Sequence, residues 1–342
     1  MLSGRATREA TASYSARFAI RDFFYRNAQS LTVSSVGIGT YLGGHDDATT
    51  HAYTDAITAA VELGINVIDT SLNYRHQRSE FAVRAALVKL QASGRCERDE
   101  LVICTKAGYL VPGAVPEMLR EGDVAGGMHS IAPGFLADQL ERSRGNLGLA
   151  AIDIFYLHNP ETQLAYIDEE TFYVRMQSAF EQLEHMAAQG RISFYGTATW
   201  EGYRRRPQQP GALSLPRLEE MARQIAGDDH HFRFVQLPFN VVMQEAATLA
   251  NQFIDDEPMT VLEAARRLGI TVIASASLLQ ARLAGSLPEN GGERFPGLAT
   301  DAQRAIQFVR STPGITTALV GMSRPEHVYE NVGAAQLSAR DA

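Results

Sequence analysis

The chain has 342 residues, 45% hydrophobic and 20% charged, enough to bury a large core. Its net charge of -8 and the lack of a basic stripe exclude nucleic acid as a principal partner. The densest basic run, Arg204-Arg205-Arg206, lies beside proline and reads as solvated loop. Two cysteines, Cys96 and Cys104, with no CxxC spacing, support neither a disulfide framework nor a zinc site. No apolar signal-type segment opens the chain, and no run nears the roughly 18 apolar residues of a membrane span. A soluble, cytoplasmic protein with no membrane partner is the default expectation.

In chain order, RFAIRDFF (17–24) and SLTVSS (30–35) read as the strands of a hairpin. Apolar strand-like runs follow at 31–38, 65–69, 101–106, 152–158, 192–197, 234–238, 270–275 and 317–320. Amphipathic helical patterns alternate with them, at 50–63, 79–91, 134–147, 170–189, 215–225, 260–268, 300–310 and 325–335. Several helices end on glycine before the next strand, as in ELGIN, AAQGRI and RLGIT, where a left-handed C-cap is expected. Eight strands alternating with eight helices predict a (β/α)₈ barrel over residues 1–342, its floor closed by the hairpin. A doubly wound sheet is the rival. It calls for a Gly-rich turn opening a helix, and GIGTYLGG (37–44) fails that test: Leu42 stands at the third glycine position and His-Asp-Asp follows.

Two segments exceed ordinary loop length, 107–133 and 284–298, each after a strand and each rich in Gly and Pro. In a barrel they lie over the active-site face. Gly108, Gly113, Gly122, Gly126 and Gly127 suggest that the first of them moves widely.

In such a barrel the strand ends converge on one pocket. Consecutive strands VID, ICTK and FYLH end on Asp69, Lys106 and His158. A buried lysine needs a counter-charge, which Asp69 can supply. Tyr74, in the loop after Asp69, lies within reach, and a neighbouring ammonium would draw its pKa below the usual value near 10. Such a tyrosine could protonate a developing alkoxide while His158 holds the substrate oxygen. No HxH, HExxH or GxSxG occurs, and His230-His231 falls in an acidic turn, so no metal site or serine hydrolase is indicated.

GINVIDTSLNYRHQRSE, ICTK and DIFYLHNPE together resemble the signature of the aldo-keto reductases, and the resemblance runs nearly the length of the chain. It implies a (β/α)₈ barrel, a catalytic tetrad of Asp69, Tyr74, Lys106 and His158, and NADP(H) bound in extended form. ALVGMSRPEHVYENV resembles the family's cofactor segment. By that resemblance Gly39, Thr40, Tyr41, Asp69, Gln236, Ser275, Gly321, Ser323, Arg324, His327, Glu330 and Asn331 contact the cofactor. Gln236 would hold the nicotinamide amide. Arg324 would fork onto the 2′-phosphate, favouring NADP(H) over NAD(H).

Three departures stand out. Ala198-Thr199 replaces the family's Ser-Asn after the fifth strand. Ser275 replaces the aromatic residue that stacks on the nicotinamide, and Leu279-Gln280-Ala281-Arg282 replaces a glycine-rich continuation. NADPH is therefore expected to be held mainly through its phosphates, unless Trp200 or Tyr41 swings in as a substitute stacker. Tyr109, Leu110, Met118, Met128, Phe135 and Trp200 are candidate walls for a small carbonyl substrate. The expected activity is NADP(H)-dependent reduction of an aldehyde or ketone, or oxidation of the alcohol. A cofactor-binding, redox-sensing regulatory subunit with slow or no turnover is the alternative. Nothing in the sequence sets an oligomeric state.

Overall fold

The computed structural model describes residues 1–18, 23–287, 295 and 297–336. The first element is a helix that the strand and helix patterning missed, α1 (Arg8–Ala16), capped by the Thr7 hydroxyl, which accepts from the Ala10 N–H at 3.1 Å. A two-stranded hairpin follows, β1 (Tyr25–Ala28) and β2 (Leu31–Ser34), turning at Gln29 with φ 57°. The expected hairpin is therefore corrected in register. Residues 17–18 close off α1, 19–22 lie outside the described residues, and pairing starts only at Tyr25. The run 31–38 divides between two sheets, because β3 (Val36–Gly39) begins after Ser35 and joins the barrel.

Then come α2 (Asp47–Glu62), β4 (Val67–Asp69), α3 (Arg78–Ala92), β5 (Val102–Ala107) and α4 (Pro133–Leu147). They are followed by β6 (Ile152–His158), α5 (Glu169–Ala188), β7 (Ile192–Ala198), α6 (Leu215–Ala226) and β8 (Phe232–Pro238). A short helix α7 (Glu245–Thr248) leads to a second hairpin, β9 (Ala250–Ile254) and β10 (Glu257–Thr260). The chain closes with α8 (Val261–Arg267), β11 (Thr271–Ser275), α9 (Asp301–Ser311), β12 (Ile315–Gly321) and α10 (Pro325–Val332). Eight parallel strands form a closed barrel in the order β11-β12-β3-β4-β5-β6-β7-β8. Gly64, Gly190 and Gly269 take φ of 99°, 69° and 69°, the left-handed turn expected before β4, β7 and β11.

Alternation across each strand sorts side chains into two layers. Outward residues such as Ile68, Ile103, Phe155 and Val235 pack under the helices. Inward residues Val67, Cys104, Tyr156, Phe234, Ile273 and Leu319 fill the barrel, in one cluster with Ala28, Leu31 and Val33 of the first hairpin. That hairpin plugs the floor. The opposite end, where the strands finish, is left for polar groups. No helix among the described residues is long and apolar enough to cross a membrane.

Candidate active site

The period of two carries the inward layer to the strand ends. Inward Val67 places Asp69 inward, Cys104 does the same for Lys106, Tyr156 for His158, Phe234 for Gln236 and Ile273 for Ser275. The structure brings these residues to one mouth. A cavity of about 380 Å³ opens there, lined by Gly39, Thr40, Tyr41, Asp69, Tyr74, His158, Gln236, Ser275 and Gly321. That size suits a small-molecule site.

Lys106 is fully buried, and its Nζ donates to Asp69 Oδ2 at 2.6 Å and to the Thr70 carbonyl at 2.9 Å. Burial alone would lower its pKa, but Asp69 and Tyr74 outweigh that and hold it above the usual lysine value. The ammonium lies 4.8 Å from the centroid of the Tyr74 ring. For Tyr74 the expected direction is corrected. Burial pushes its hydroxyl above the ordinary tyrosine pKa, Lys106 opposes this, and Asp69 reinforces it, so desolvation prevails over the cation. The neutral phenol is the resident form at neutral pH.

His158 has its pKa pushed well down by burial, by Lys106 and by His129, and is a neutral imidazole. Its ring meets Tyr74 and Tyr109 edge-on, with centroids 5.8 and 5.2 Å away. His129, in the loop 107–133, is buried, and its pKa is lowered to about 4 by desolvation. Its Nε2 donates to the His158 carbonyl at 2.8 Å. Gly108 permits this approach, since a Cβ there would lie 2.4 Å from the His158 carbonyl oxygen and 2.7 Å from His129 Nε2. The loop is tied down rather than loose: Leu110 N–H bonds Met128 O, and Ser130 N–H bonds Gly108 O, both at 2.8 Å.

Tyr74 is fixed from behind. Arg75, His76 and Gln77 take φ of 50°, 50° and 70°, a left-handed turn that costs of order 1–3 kcal/mol per residue. The buried Arg75 offsets that strain, with Nε donating to Gly44 O at 2.7 Å and Nη2 to Thr50 Oγ1 at 2.9 Å. Glu80, the last residue of the GINVIDTSLNYRHQRSE stretch, accepts from Thr105 Oγ1 at 2.7 Å and Asn146 Nδ2 at 2.8 Å, which anchors α3 to the outer face of β5 beside Lys106. Sequence reasoning missed Arg75 and His129. The former follows Tyr74 directly and the latter carries no spacing signal.

The remaining candidates fall into two groups. Gln236 reaches the cavity, but its Nε2 donates to Asp69 Oδ1 at 2.8 Å, so it orients the aspartate as well. Thr199 Oγ1 and Ser277 Oγ, on two residues lining the cavity, are buried hydroxyls without a hydrogen-bond partner. Ala198 and Ser275 line the same side. Ala276, Leu279, Gln280 and Ala281 have φ of 54°, 45°, 54° and 69°. The positive φ expected of glycine persists there without glycines. Ser323, Arg324, His327, Glu330 and Asn331 do not line this cavity. They lie at the start of α10 and along it, beyond Gly321. Arg324 is exposed at the N-cap, while Asn331 is buried with Oδ1 unpartnered.

Of the proposed walls, Tyr109 and Trp200 line the cavity. Phe135, on α4, is buried in the core between barrel and helices, and Leu110 packs against that core. Met118 and Met128 are exposed and line no described cavity. Of the loop 284–298, residues 288–294 and 296 lie outside the described residues. Among the described residues no group of three or more His, Cys, Asp or Glu is placed to hold a metal ion.

Comparison with known proteins bears on the family and the fold. The family model described as "Aldo/keto reductase family" matches residues 35–291. A Schizosaccharomyces pombe protein named "Putative voltage-gated potassium channel subunit beta" is 22% identical, over 92% of this chain and 88% of that one. The NADH-specific methylglyoxal reductase of Escherichia coli is 22% identical, over 91% of this chain and 93% of that one. Among solved structures, an aldo/keto reductase from Klebsiella pneumoniae in complex with NADP and acetate superposes with a TM-score of 0.62. It is 20% identical and covers 92% of this chain and 90% of its own. With three quarters of its length matched by the family model and its strand ends arranged as described, the chain belongs to the aldo/keto reductase family.

Proposed function

We propose that this protein is an NADP(H)-dependent oxidoreductase that reduces a small aldehyde or ketone, with Tyr74 as proton donor. One observation carries the reading: the buried Lys106–Asp69 pair, at 2.6 Å, sits beside a neutral tyrosine facing a strand-end cavity. When bound, the cofactor supplies the hydride. The protein's share is the proton and its placement. The Tyr74 hydroxyl donates to the substrate oxygen as negative charge develops there, and Lys106 stabilises the phenolate that results. Neutral His158 orients the carbonyl oxygen toward Tyr74.

The residues present fit the cofactor. The unpartnered Thr199 and Ser277 hydroxyls suit the nicotinamide amide, and the Asn331 oxygen suits the adenine amine. Arg324 at the α10 N-terminus suits a 2′-phosphate. The NADH-specific E. coli relative makes this preference a matter for test.

Replacing Tyr74 with Phe keeps the ring and removes the acid. Turnover of an aldehyde with NADPH is expected to fall at least ~10²-fold with cofactor affinity nearly unchanged. Near wild-type turnover would remove Tyr74 from this role. A second reading, a cofactor-binding regulatory subunit, is supported by the channel-subunit relative and by Ala198 and Ser275 in the nicotinamide berth. Stoichiometric NADPH binding without turnover of any aldehyde in the wild type would favour it.

A further inference from the structure

A second chamber of about 410 Å³ adjoins the first and shares Tyr109, Asn159 and Trp200 with it. Its other walls include Glu161, Thr162 and Tyr166. The shared wall is built, not incidental. Asn159 Nδ2 donates to the Tyr109 hydroxyl at 3.0 Å, and that hydroxyl lies 3.4 Å from Thr162 Oγ1. Glu161 is 8% exposed. Its Oε1 accepts the backbone N–H groups of Trp200, Glu201 and Gly202 at 2.7, 3.0 and 3.3 Å, which fixes the segment carrying Trp200. Its Oε2 is buried without a hydrogen-bond partner. A buried acceptor left unpaired is costly, and a ligand donor would relieve it.

The chemistry of the walls narrows the occupant. Three aromatic rings, Tyr109, Tyr166 and Trp200, offer faces for stacking. Glu161, Asn159 and Thr162 offer acceptors and hydroxyl or amide partners. The cation on this wall, Arg205, is paired with Glu201 at 2.8 Å and also donates to the Pro210 carbonyl. With that charge neutralised and a carboxyl group nearby, a phosphate or carboxylate tail is disfavoured. An uncharged ring bearing several hydroxyls fits: its C–H face stacks on an aromatic ring and its O–H groups donate to Glu161.

We propose that this chamber is a glycosyl subsite, so that the substrate is a carbonyl compound carrying a neutral sugar. The sugar lies against Tyr166 and Trp200 while the carbonyl reaches Tyr74 past Tyr109. The assignment rests on the carbonyl reductase reading above, and its test separates the two. The probes are salicylaldehyde and its β-D-glucoside, reduced with NADPH. The wild-type KM for the glucoside is expected to be at least about tenfold below that for the aglycone. Ala165→Trp, which fills the chamber, and Tyr166→Ala, which removes a stacking face, should each raise the glucoside KM to the aglycone's. The kcat and the aglycone kinetics should stay put. Both residues are exposed, so neither change threatens the fold. A glucoside KM no lower than the aglycone's, or variants that raise both equally, would overturn the subsite. If neither aldehyde turns over, the reductase reading fails on its own. Calorimetric titration of the two aldehydes then decides the subsite: tighter glucoside binding supports it, equal affinity refutes it.

Discussion

Asp69→Asn tests how far the site depends on a buried charge pair. In the wild type Asp69 Oδ2 lies 2.6 Å from Lys106 Nζ, and at an effective dielectric near 20 that contact contributes roughly 6 kcal/mol of Coulomb attraction. Asparagine keeps the shape and an acceptor for Gln236 but strands the ammonium. Lysine can escape by losing its proton, which at pH 7 costs about 4–5 kcal/mol from a reference pKa near 10.4. The expected loss is therefore ~3–5 kcal/mol at pH 7, the scale for breaking a buried pair. The pH dependence has a definite sign. In the wild type Lys106 is raised above its usual value, so its stabilisation is complete below the unfolded pKa and is lost only as pH climbs through the folded one. In the variant burial, the largest cause, is opposed by Tyr74 without Asp69, and the folded pKa is expected to fall below the unfolded one. Folding then releases a proton, and stability rises with pH up to about 10.4. Urea melts of both proteins at pH 7, 8, 9 and 10 should show the gap narrowing steadily. A loss under ~1 kcal/mol at pH 7, or a gap constant in pH, would show that the two groups do not act as a charge pair.

The barrel and its strand-end triad were legible because both follow from simple periodicities. The alternation of apolar runs with helical patterns sets the topology. The period of two then forces Asp69, Lys106 and His158 inward once Val67, Cys104 and Tyr156 are inward. The floor hairpin was legible in kind but not in register. Its place along the chain is set by the turn at Gln29 and by the side-chain contacts of Ala28, Leu31 and Val33, and not by any pattern within 17–24. The hairpin of β9 and β10 went unnoticed, although Asp255-Asp256, with φ of 53° and 63°, is a turn signal in hindsight. The Tyr74 pKa was read in the wrong direction because a sequence shows which charges come near but not how much water is excluded. His129 and Glu161 act through backbone groups distant in sequence, His158 O and the N–H groups after β7, and no local spacing announces such contacts.

Three further outcomes are expected. With Tyr74 raised and His158 lowered, kcat/KM for reduction should be flat from pH 6 to 9 and fall only on the alkaline side; a half-point near 7 in stopped-flow or steady-state profiles would contradict the neutral assignments of both groups. Arg324→Ala should weaken NADPH at least about tenfold in calorimetry and leave NADH nearly unchanged, the scale of one lost charge-assisted fork; undiminished preference for NADPH would displace the 2′-phosphate from the start of α10. The nicotinamide end calls for the opposite experiment, a gain of contact. Ser275 closes β11 at the cavity wall and has no ring to stack, while Tyr41 and Trp200 on the same cavity are 52% and 38% exposed. Ser275 leaves its own side of the cavity without a ring, so Ser275→Tyr should add a stacking face worth roughly 0.5–1.5 kcal/mol, about two- to tenfold in affinity. Since Arg324 lies outside the cavity that Ser275 lines, NADPH and NADH should tighten by the same factor. Weaker binding of both in the Ser275→Tyr protein would mean that the new ring collides with one already in place, and that Tyr41 or Trp200 is the stacker in the native site.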